Sequence, residues 1–254
     1  MWKPLSALAA FGVVLTLSPT QALSETKQSP TVVELFTSQG CYSCPPAEAF
    51  LTELADHKDI VALEWHVDYW DDLVYGFSGK WKDPFSHPDF TQRQRFYNLS
   101  IKGKGSVYTP QMVIGGRLEA VGSRRGNVLA AIQRTRAEAP PKLTVAVKKK
   151  AKGISVAIDG TDDRAGDILL VRYDHAHTTQ VKSGENKGKT LTSRNIVRGL
   201  QVVGGWSGKP VKFDLASADL GPNQGCAIII QGRGDRGPGP VLGAANCPVT
   251  GLTN

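Results

Sequence analysis

Two cysteines separated by two residues, Cys41 and Cys44, are the side chains of this chain best suited to chemistry. The run that precedes them, 31–36 (TVVELF), is apolar and β-branched, which is typical of a buried strand, and a short polar turn ends it. Pro45 and Pro46 lack backbone N–H donors, so a helix accommodates them only in its first turn. The cysteines are therefore predicted to lie at the start of a helix that follows a buried strand.

The predicted position of the Cys41–Cys44 pair favours thiol–disulfide exchange. Unpaired N–H groups and the positive end of the helix dipole stabilise a thiolate over a thiol. The thiolate is the nucleophile in exchange. We interpret Cys41 as the nucleophile and Cys44 as the thiol that resolves a mixed disulfide. A permanent structural disulfide and a metal-binding pair are the alternatives.

The amino-terminal residues 1–22 have the pattern of a secretory signal peptide. Lys3 precedes an apolar run over 5–17, and residues 20–22 (TQA) supply a small-residue cleavage site. The apolar run is too short to span a bilayer comfortably. We expect a periplasmic or secreted protein with no membrane span after signal cleavage. Disulfides persist in such compartments, which fits the even count of four cysteines.

The charge is unevenly distributed along the chain. Residues 1–141 hold 14 basic and 14 acidic side chains, whereas residues 142–254 hold 16 basic and 9 acidic ones, which accounts for the whole net charge of +7. Aromatic and basic residues are not interleaved, and an exported protein rarely meets nucleic acid, so nucleic acid is not expected as a partner. The basic excess is interpreted as a solvated face.

Residues 23–139 are predicted to form an α/β domain. A second apolar strand over 60–67 follows the helix, and a strand–helix–strand order implies a parallel pair whose carboxyl ends meet. His66 and Asp68 stand where this strand ends, so we expect them beside the cysteines. His66 could stabilise a thiolate or join it on a metal. Further elements are predicted: a helix over 90–99 capped by Asp89, a β-hairpin over 108–121, and a helix over 124–138.

Six motifs carry a resemblance to a known family: VELFTSQGC (33–41), CPP (44–46), HVDYW (66–70), WKDPF (81–85), YTPQM (108–112) and GENKG (184–188). With these motifs and the element order β-α-β-α-β-β-α, the chain resembles a family of secreted bacterial thioredoxin-like proteins of unknown function. The resemblance implies a thioredoxin fold and export, and no known substrate. By analogy Cys41, Cys44 and Pro110 take the nucleophile, resolving and substrate-groove positions.

Other predicted site residues follow from the same analogy. Thioredoxins bury an acid on the first strand as a proton shuttle, and Glu34 is the only acid on this strand. We predict that Glu34 deprotonates Cys44, with a structural ion pair as the alternative. A cis Thr109–Pro110 bond would leave the Thr109 backbone free to pair with an extended substrate. The predicted substrate-binding set is Thr109, Pro110, Tyr42, His66 and Asp68.

Residues 142–254 are predicted to form an all-β, sandwich-like domain after a stiff linker over 139–141. Short alternating segments predict its strands: 143–147, 154–158, 168–173, 177–182, 191–197, 211–215 and 226–231. Cys226 and Cys247 are expected to form a structural disulfide, with electron transfer from the first pair as the alternative. His175 and His177 would face one side of a strand, where a metal would need a further ligand.

Together these features predict a periplasmic thiol–disulfide oxidoreductase that acts on protein or small-thiol substrates through Cys41 and Cys44, without a cofactor. The β domain would bind or position the partner. The rival hypothesis is a copper- or zinc-binding protein that uses Cys41, Cys44 and either His66 or the His175/His177 pair. A third is a non-catalytic adaptor whose cysteines stay bridged.

Overall fold

A computed structural model of the chain describes residues 29–75, 82–138, 142–216 and 220–248. The predicted signal peptide, Trp81 and the predicted linker lie outside these residues. The elements of the first half are β1 (Thr31–Thr37), α1 (Pro45–Ala55), β2 (Ile60–His66), α2 (Tyr69–Tyr75), α3 (Pro88–Lys102), β3 (Gln111–Ile114), β4 (Leu118–Val121) and α4 (Arg125–Glu138). Seven strands follow: β5 (Thr144–Lys149), β6 (Ile154–Asp159), β7 (Gly166–Gln180), β8 (Thr190–Trp206), β9 (Val211–Leu215), β10 (Gln224–Gly234) and β11 (Gly237–Asn246).

The predicted strand and helix around the cysteines are both present. All seven residues of β1 are buried, as its apolar sequence requires. Pro45 and Pro46 occupy the first turn of α1, where their missing N–H groups cost no intrahelical hydrogen bond. Phe50, Leu51 and Leu54 are buried on one face of this helix, which fixes its packing against the sheet.

The strands form two sheets. The larger has the order β11-β10-β7-β8-β2-β1-β3-β4, and the smaller has the order β5-β6-β9. β1 pairs with β2 in parallel and with β3 in antiparallel fashion. The molecule is thus a mixed α/β protein with one large, mostly β sheet and a second, smaller sheet. Within the described residues, no helix is long and apolar enough to cross a membrane.

Three apolar clusters lie between these layers. On one face of the large sheet α1 and α4 cover Leu35, Met112 and their neighbours. On the other face Phe36 and Trp65 pack with α3 and with residues of β7, β10 and β11. The third cluster lies between the small sheet and the β7–β10–β11 part of the large one. The apolar side chains of both halves therefore share the faces of one sheet. The predicted division into two domains stays a prediction.

Strand lengths in the second half differ from those predicted. The predicted strands 168–173 and 177–182 are one continuous strand, β7, and β8 continues past 197 to Trp206. Residues 237–239, in the glycine-rich stretch 232–239, lie outside the predicted strands but belong to β11. Proline and glycine are unfavourable in strands, so the sequence GPGPVLGAAN by itself does not predict one. Pairing with β10 supplies the hydrogen bonds that form it nonetheless. Every helix or strand that the structure describes from residue 142 onward is a strand, and the sandwich-like domain stays a prediction.

The region between β2 and α3 also required correction. The seven-residue helix α2 was not predicted from the sequence. α3 is capped by His87, whose Nδ1 accepts a hydrogen bond from the backbone N of Asp89 at 3.2 Å, and not by Asp89 as predicted. Pro88 accounts for the shift, because proline is suited to the first helical position and the cap then falls one residue before it.

A buried polar network joins the two halves of the chain. Glu34 on β1 accepts hydrogen bonds from Arg93 Nε at 2.7 Å and Nη2 at 3.0 Å, and also from the Tyr97 hydroxyl. Gln231 on β10 accepts from Arg93 Nη2 at 3.0 Å and donates to the Tyr97 hydroxyl at 2.8 Å. Burial alone would lower the pKa of Arg93, but the Glu34 carboxylate raises it. α3 is thereby bound to strands from both halves.

We expect Arg93→Met to destabilise the protein by about 3–5 kcal/mol, because it leaves the Glu34 charge buried without its cation. Arg95→Met, on the exposed side of the same helix, is the matched control and should cost within about 0.5 kcal/mol. Urea unfolding of both variants at pH 7 measures the difference. Equal costs would contradict the assigned importance of the network.

Candidate functional site

The carboxyl ends of β1 and β2 meet at one edge of the large sheet. Thr37, the last residue of β1, lies opposite His66, the last residue of β2. β3 runs antiparallel to β1 and starts at this edge, so Pro110, immediately before β3, lies there as well. The turn that follows Thr37 carries Cys41 into the same edge.

Cys41 and Cys44 form a disulfide immediately before α1, with their Cα atoms 5.5 Å apart. Cys44 is the N-cap residue, and its carbonyl accepts hydrogen bonds from the backbone N of Ala47 at 2.8 Å and of Glu48 at 3.2 Å. Both cysteines are wholly buried, whereas Tyr42 between them is 67% exposed. The pair has the helix-start position that favours a thiolate on reduction, but its sulfur atoms are covered.

The turn before Cys41 is buried, so its backbone polar groups need partners inside the protein. Cys41 N donates to the Ser38 carbonyl at 3.1 Å. Gln39 N donates to Asp83 Oδ2 at 2.7 Å. The Asn186 side-chain amide donates to the carbonyl oxygens of Gln39 at 2.9 Å and Cys41 at 2.8 Å. Two side chains remote in sequence therefore hold the Cys41 turn in place.

His66 lies between two buried carboxyl groups. Its Nδ1 is 2.8 Å from Asp83 Oδ2, and its Nε2 is 2.9 Å from Glu64 Oε1. Burial alone would lower the pKa of His66, but Asp83 and Glu64 raise it well above the ordinary value. Burial would raise the pKa of Asp83, but the imidazolium and hydrogen bonds hold it below the ordinary value. The charged His66 therefore stabilises the Asp83 carboxylate, which accepts the hydrogen bond from the Gln39 backbone N.

Glu48 is a buried acid one helical turn after Cys44. Side chains four residues apart share a helix face, and helical side chains lean toward the N-terminus, so Glu48 extends toward Cys44. The Thr37 hydroxyl donates to Glu48 Oε1 at 2.6 Å. Burial first, and then the nearby Glu64, raise the pKa of Glu48 to about 8. Glu48 is therefore protonated at neutral pH and able to exchange its proton.

Glu34, predicted as the base for Cys44, lies on the other face of β1. Side chains alternate along a strand, so Glu34 faces Arg93 on α3, whereas Thr37 faces Glu48 on α1. The ion pair given as the alternative for Glu34 is formed in the structure. The catalytic role of Glu34 stays a prediction.

Two other predicted substrate residues are bound to neighbouring elements. The Thr109–Pro110 peptide bond is cis, and Thr109 Oγ1 accepts a hydrogen bond from Trp70 Nε1 at 2.7 Å. Asp68 is bound to α3, because its backbone N donates to Thr91 Oγ1 at 3.1 Å and its Oδ1 accepts from the same hydroxyl at 2.5 Å. Their substrate-binding roles stay predictions.

Tyr42 is contacted by the loop between β7 and β8. Its backbone N donates to Glu185 Oε2 at 2.8 Å, and Lys189 Nζ lies 4.6 Å from the centroid of its ring. Sequence reasoning missed Asp83 and Asn186 as site residues. The available signal was that they belong to the motifs WKDPF and GENKG, whose roles the sequence does not explain.

The histidine pair on β7 has aromatic neighbours. The His177 ring lies 5.1 Å from that of Phe85, which in turn lies 5.2 Å from that of His66. His175 packs 5.5 Å from Tyr173. Among the residues that the structure describes, no three His, Cys, Asp or Glu side chains are grouped to hold a metal ion. The metal-binding hypothesis therefore gains no specific observation in its favour.

Cys226 and Cys247 form the second disulfide, with Cα atoms 5.1 Å apart. Cys247 N also donates to the Cys226 carbonyl at 2.6 Å. The pair lies in the apolar cluster between the two sheets, among side chains such as Ile228 and Leu242. It links β10 to the residue that follows β11. Its purely structural role stays a prediction.

The fold and the site define a mixed α/β protein with a buried disulfide at the start of a helix. The chain belongs to the family of proteins of unknown function DUF1223, whose model matches residues 32–231. No curated protein matches it. A crystal structure of a protein from Agrobacterium tumefaciens is 28% identical, covers 90% of this chain and 97% of its own, and has a TM-score of 0.77. HBP35 of Porphyromonas gingivalis is similar in fold alone, with 13% identity over 89% of this chain and 79% of its own and a TM-score of 0.51.

Glu48→Gln should make the protein more stable relative to wild type as the pH rises from about 4.5 to about 8. In this window folded Glu48 keeps a proton that unfolded Glu48 has lost, so wild-type stability falls with pH through this group. The relative gain should be on the order of 4 kcal/mol across the window, with no further change below or above it. Urea unfolding at intervals of one pH unit measures it.

Glu53→Gln is the matched control, because Glu53 lies exposed on the same helix and Arg125 lowers its pKa. Its stability difference from wild type should be flat from pH 5 to pH 8. A flat difference for Glu48→Gln as well would show that Glu48 is ionised in the folded protein.

Proposed function

We propose that this protein is a thiol–disulfide oxidoreductase that acts through the Cys41–Cys44 pair. The observation that carries the proposal is the placement of this pair between a buried strand and a helix N-terminus. A protonated acid, Glu48, lies one turn further along that helix. Cis Pro110 lies at the same sheet edge. The arrangement supplies a stabilised thiolate, a resolving thiol and a proton donor.

We assign the thioredoxin fold to the first half as part of the same proposal. Its supporting observation is the sheet order β2-β1-β3-β4, in which β1 and β2 are parallel and β3 and β4 form an antiparallel hairpin. α1 and α4 pack on one face of these strands and α3 packs on the other. Strands β8, β7, β10 and β11 extend this sheet beyond β2.

In the proposed reaction a substrate thiolate attacks the Cys41 sulfur. A bond forms between these two sulfurs, the Cys41–Cys44 bond breaks, and its electron pair stays on Cys44, which then takes a proton. A second substrate thiolate attacks the substrate sulfur of the mixed disulfide, and Cys41 leaves as a thiolate. Two substrate thiols become a disulfide, and the protein pair becomes a dithiol. The reverse sequence reduces a substrate disulfide.

Glu48 is the proton donor to Cys44 in this scheme. A pKa of about 8 lies close to that of an ordinary thiol, so the proton can move in either direction near neutral pH. Glu48 thus takes the role that the sequence suggested for Glu34. Glu34 is instead paired with Arg93, on the face of β1 opposite to that of Thr37 and Glu48.

The substrates proposed are proteins or small thiols in the periplasm or outside the cell. Two disulfides are compatible with an oxidising compartment. The pattern of residues 1–22 supports export. No nucleic acid partner and no cofactor enter the scheme.

The reduction potential of the Cys41–Cys44 pair, measured in glutathione buffers, should lie between about −120 and −270 mV, the range of catalytic dithiols. Metal content is measured on the same sample. A potential below about −300 mV would leave the pair as a structural bridge. Stoichiometric copper or zinc that is lost in Cys41→Ser would instead support the metal-binding hypothesis.

The two single-cysteine variants give opposite expected results. Cys44→Ser should accumulate a mixed disulfide through Cys41, because the resolving thiol is missing, and Cys41→Ser should accumulate none. Mass spectrometry after incubation with a disulfide-bonded substrate distinguishes them. Trapping through Cys44 in Cys41→Ser would reverse the assigned roles.

A further inference from the structure

The hairpin formed by β7 and β8 extends beyond the sheet toward the cysteines. The pairing of β10 with β7 ends at Asp174, whereas β7 and β8 continue to pair as far as Gln180 and Thr190. Residues 181–189, which we name the tip, connect the two strands. Arg194 at the base of this extension pairs with Asp56 at the end of α1, whereas the tip contacts residues just before the start of that helix. The extension therefore spans the length of α1.

The tip contacts the cysteine motif through three side chains. Asn186 is wholly buried, and its amide donates to the carbonyl oxygens of Gln39 and Cys41 at 2.9 and 2.8 Å. Glu185 accepts from the backbone N of Tyr42 at 2.8 Å. Lys189 Nζ donates to Asn186 Oδ1 at 2.9 Å, which orients the amide. The tip therefore forms hydrogen bonds with backbone groups on both sides of Cys41.

The disulfide is covered in the structure, and the tip is bonded to the backbone beside it. An incoming thiolate must reach the Cys41 sulfur, and Cys41 has no exposed surface although Tyr42 beside it is 67% exposed. Asn186, itself buried, is bonded to the Cys41 carbonyl. Exchange at Cys41 therefore requires the residues around it to move, and the tip is bonded to the backbone on both sides of it.

A buried side chain beneath the tip favours such movement. Both polar atoms of the Gln39 side-chain amide are buried without a hydrogen-bond partner among the described residues. An unsatisfied buried amide destabilises the arrangement that contains it. Asn186 is bonded to the Gln39 carbonyl, so opening of the tip would bring water or a partner to this residue and offset part of the cost of opening.

We propose that the tip is a cap that determines which partners reach Cys41. This inference rests on the proposed function and adds a size preference to it. The open cap admits a polypeptide, whose backbone replaces the bonds that Asn186 and Glu185 make to residues 39, 41 and 42. A small dithiol needs a smaller opening, so it is less sensitive to the cap. Polypeptide cysteines are thus the substrates whose access the cap controls.

The test compares the rates at which the oxidised protein reacts with reduced, unfolded ribonuclease and with dithiothreitol. Asn186→Ala removes two hydrogen bonds that close the cap, so the ribonuclease rate should rise about tenfold or more. The dithiothreitol rate should rise by less than about threefold, because a smaller opening already admits that thiol. Equal rises, or none with ribonuclease, would overturn the proposal.

Asn223→Ala is the matched control, since the Asn223 amide also donates to a backbone carbonyl, that of Ala176, at 3.0 Å. It should change neither rate. If Asn186→Ala fails to fold, Glu185→Ala, at an exposed position, replaces it and should give a smaller rise with the same preference for ribonuclease. The absence of that rise would overturn the proposal.

The reduction potential of each variant separates this proposal from the proposed function. A potential within the catalytic range, with ribonuclease rates equal in wild type and Asn186→Ala, would overturn the cap and leave the oxidoreductase standing. A wild-type potential below about −300 mV would contradict both the cap and the oxidoreductase function.

Discussion

The buried turn between β1 and Cys41 is the constraint on which the site depends. A turn normally lies at the surface because its backbone groups need water. Here Asp83, Ser38 and Asn186 supply those hydrogen bonds from within the protein. The geometry of the disulfide is thus coupled to the segment before α3 and to the β7–β8 hairpin.

The charges beneath α1 follow from the same constraint. Asp83 accepts the hydrogen bond from the Gln39 backbone N–H as a carboxylate, and the His66 imidazolium stabilises that charge. Glu64 Oε1 lies within hydrogen-bond distance of the other ring nitrogen of His66, Nε2. Burial first, and then the nearby Glu64, make a further negative charge at Glu48 unfavourable, so this acid stays protonated to about pH 8. The network that fixes the turn therefore also prepares the proton donor.

The two halves of the chain are joined by more than strand pairing. β8 meets β2 at a single register pair, Glu64 with Ile196. The bonds from Arg93 on α3 to Glu34 and Gln231 add polar contacts across the shared core. These contacts position the β7–β8 hairpin, which carries Asn186. In our interpretation the second half acts as part of the site and not as a separate module.

Local sequence by itself determined the strand, the turn, the cysteine pair and the helix start, because β-branched residues and paired prolines act within a few residues. It also predicted the sheet edge where β1 and β2 end. It did not predict Glu48, since an acid in the first helical turn normally indicates a favourable charge at the surface. Only the tertiary structure buried that acid and brought Asp83 and Asn186 to the turn. Such contacts join residues up to 147 positions apart, and no local pattern encodes which remote side chain satisfies a buried backbone group.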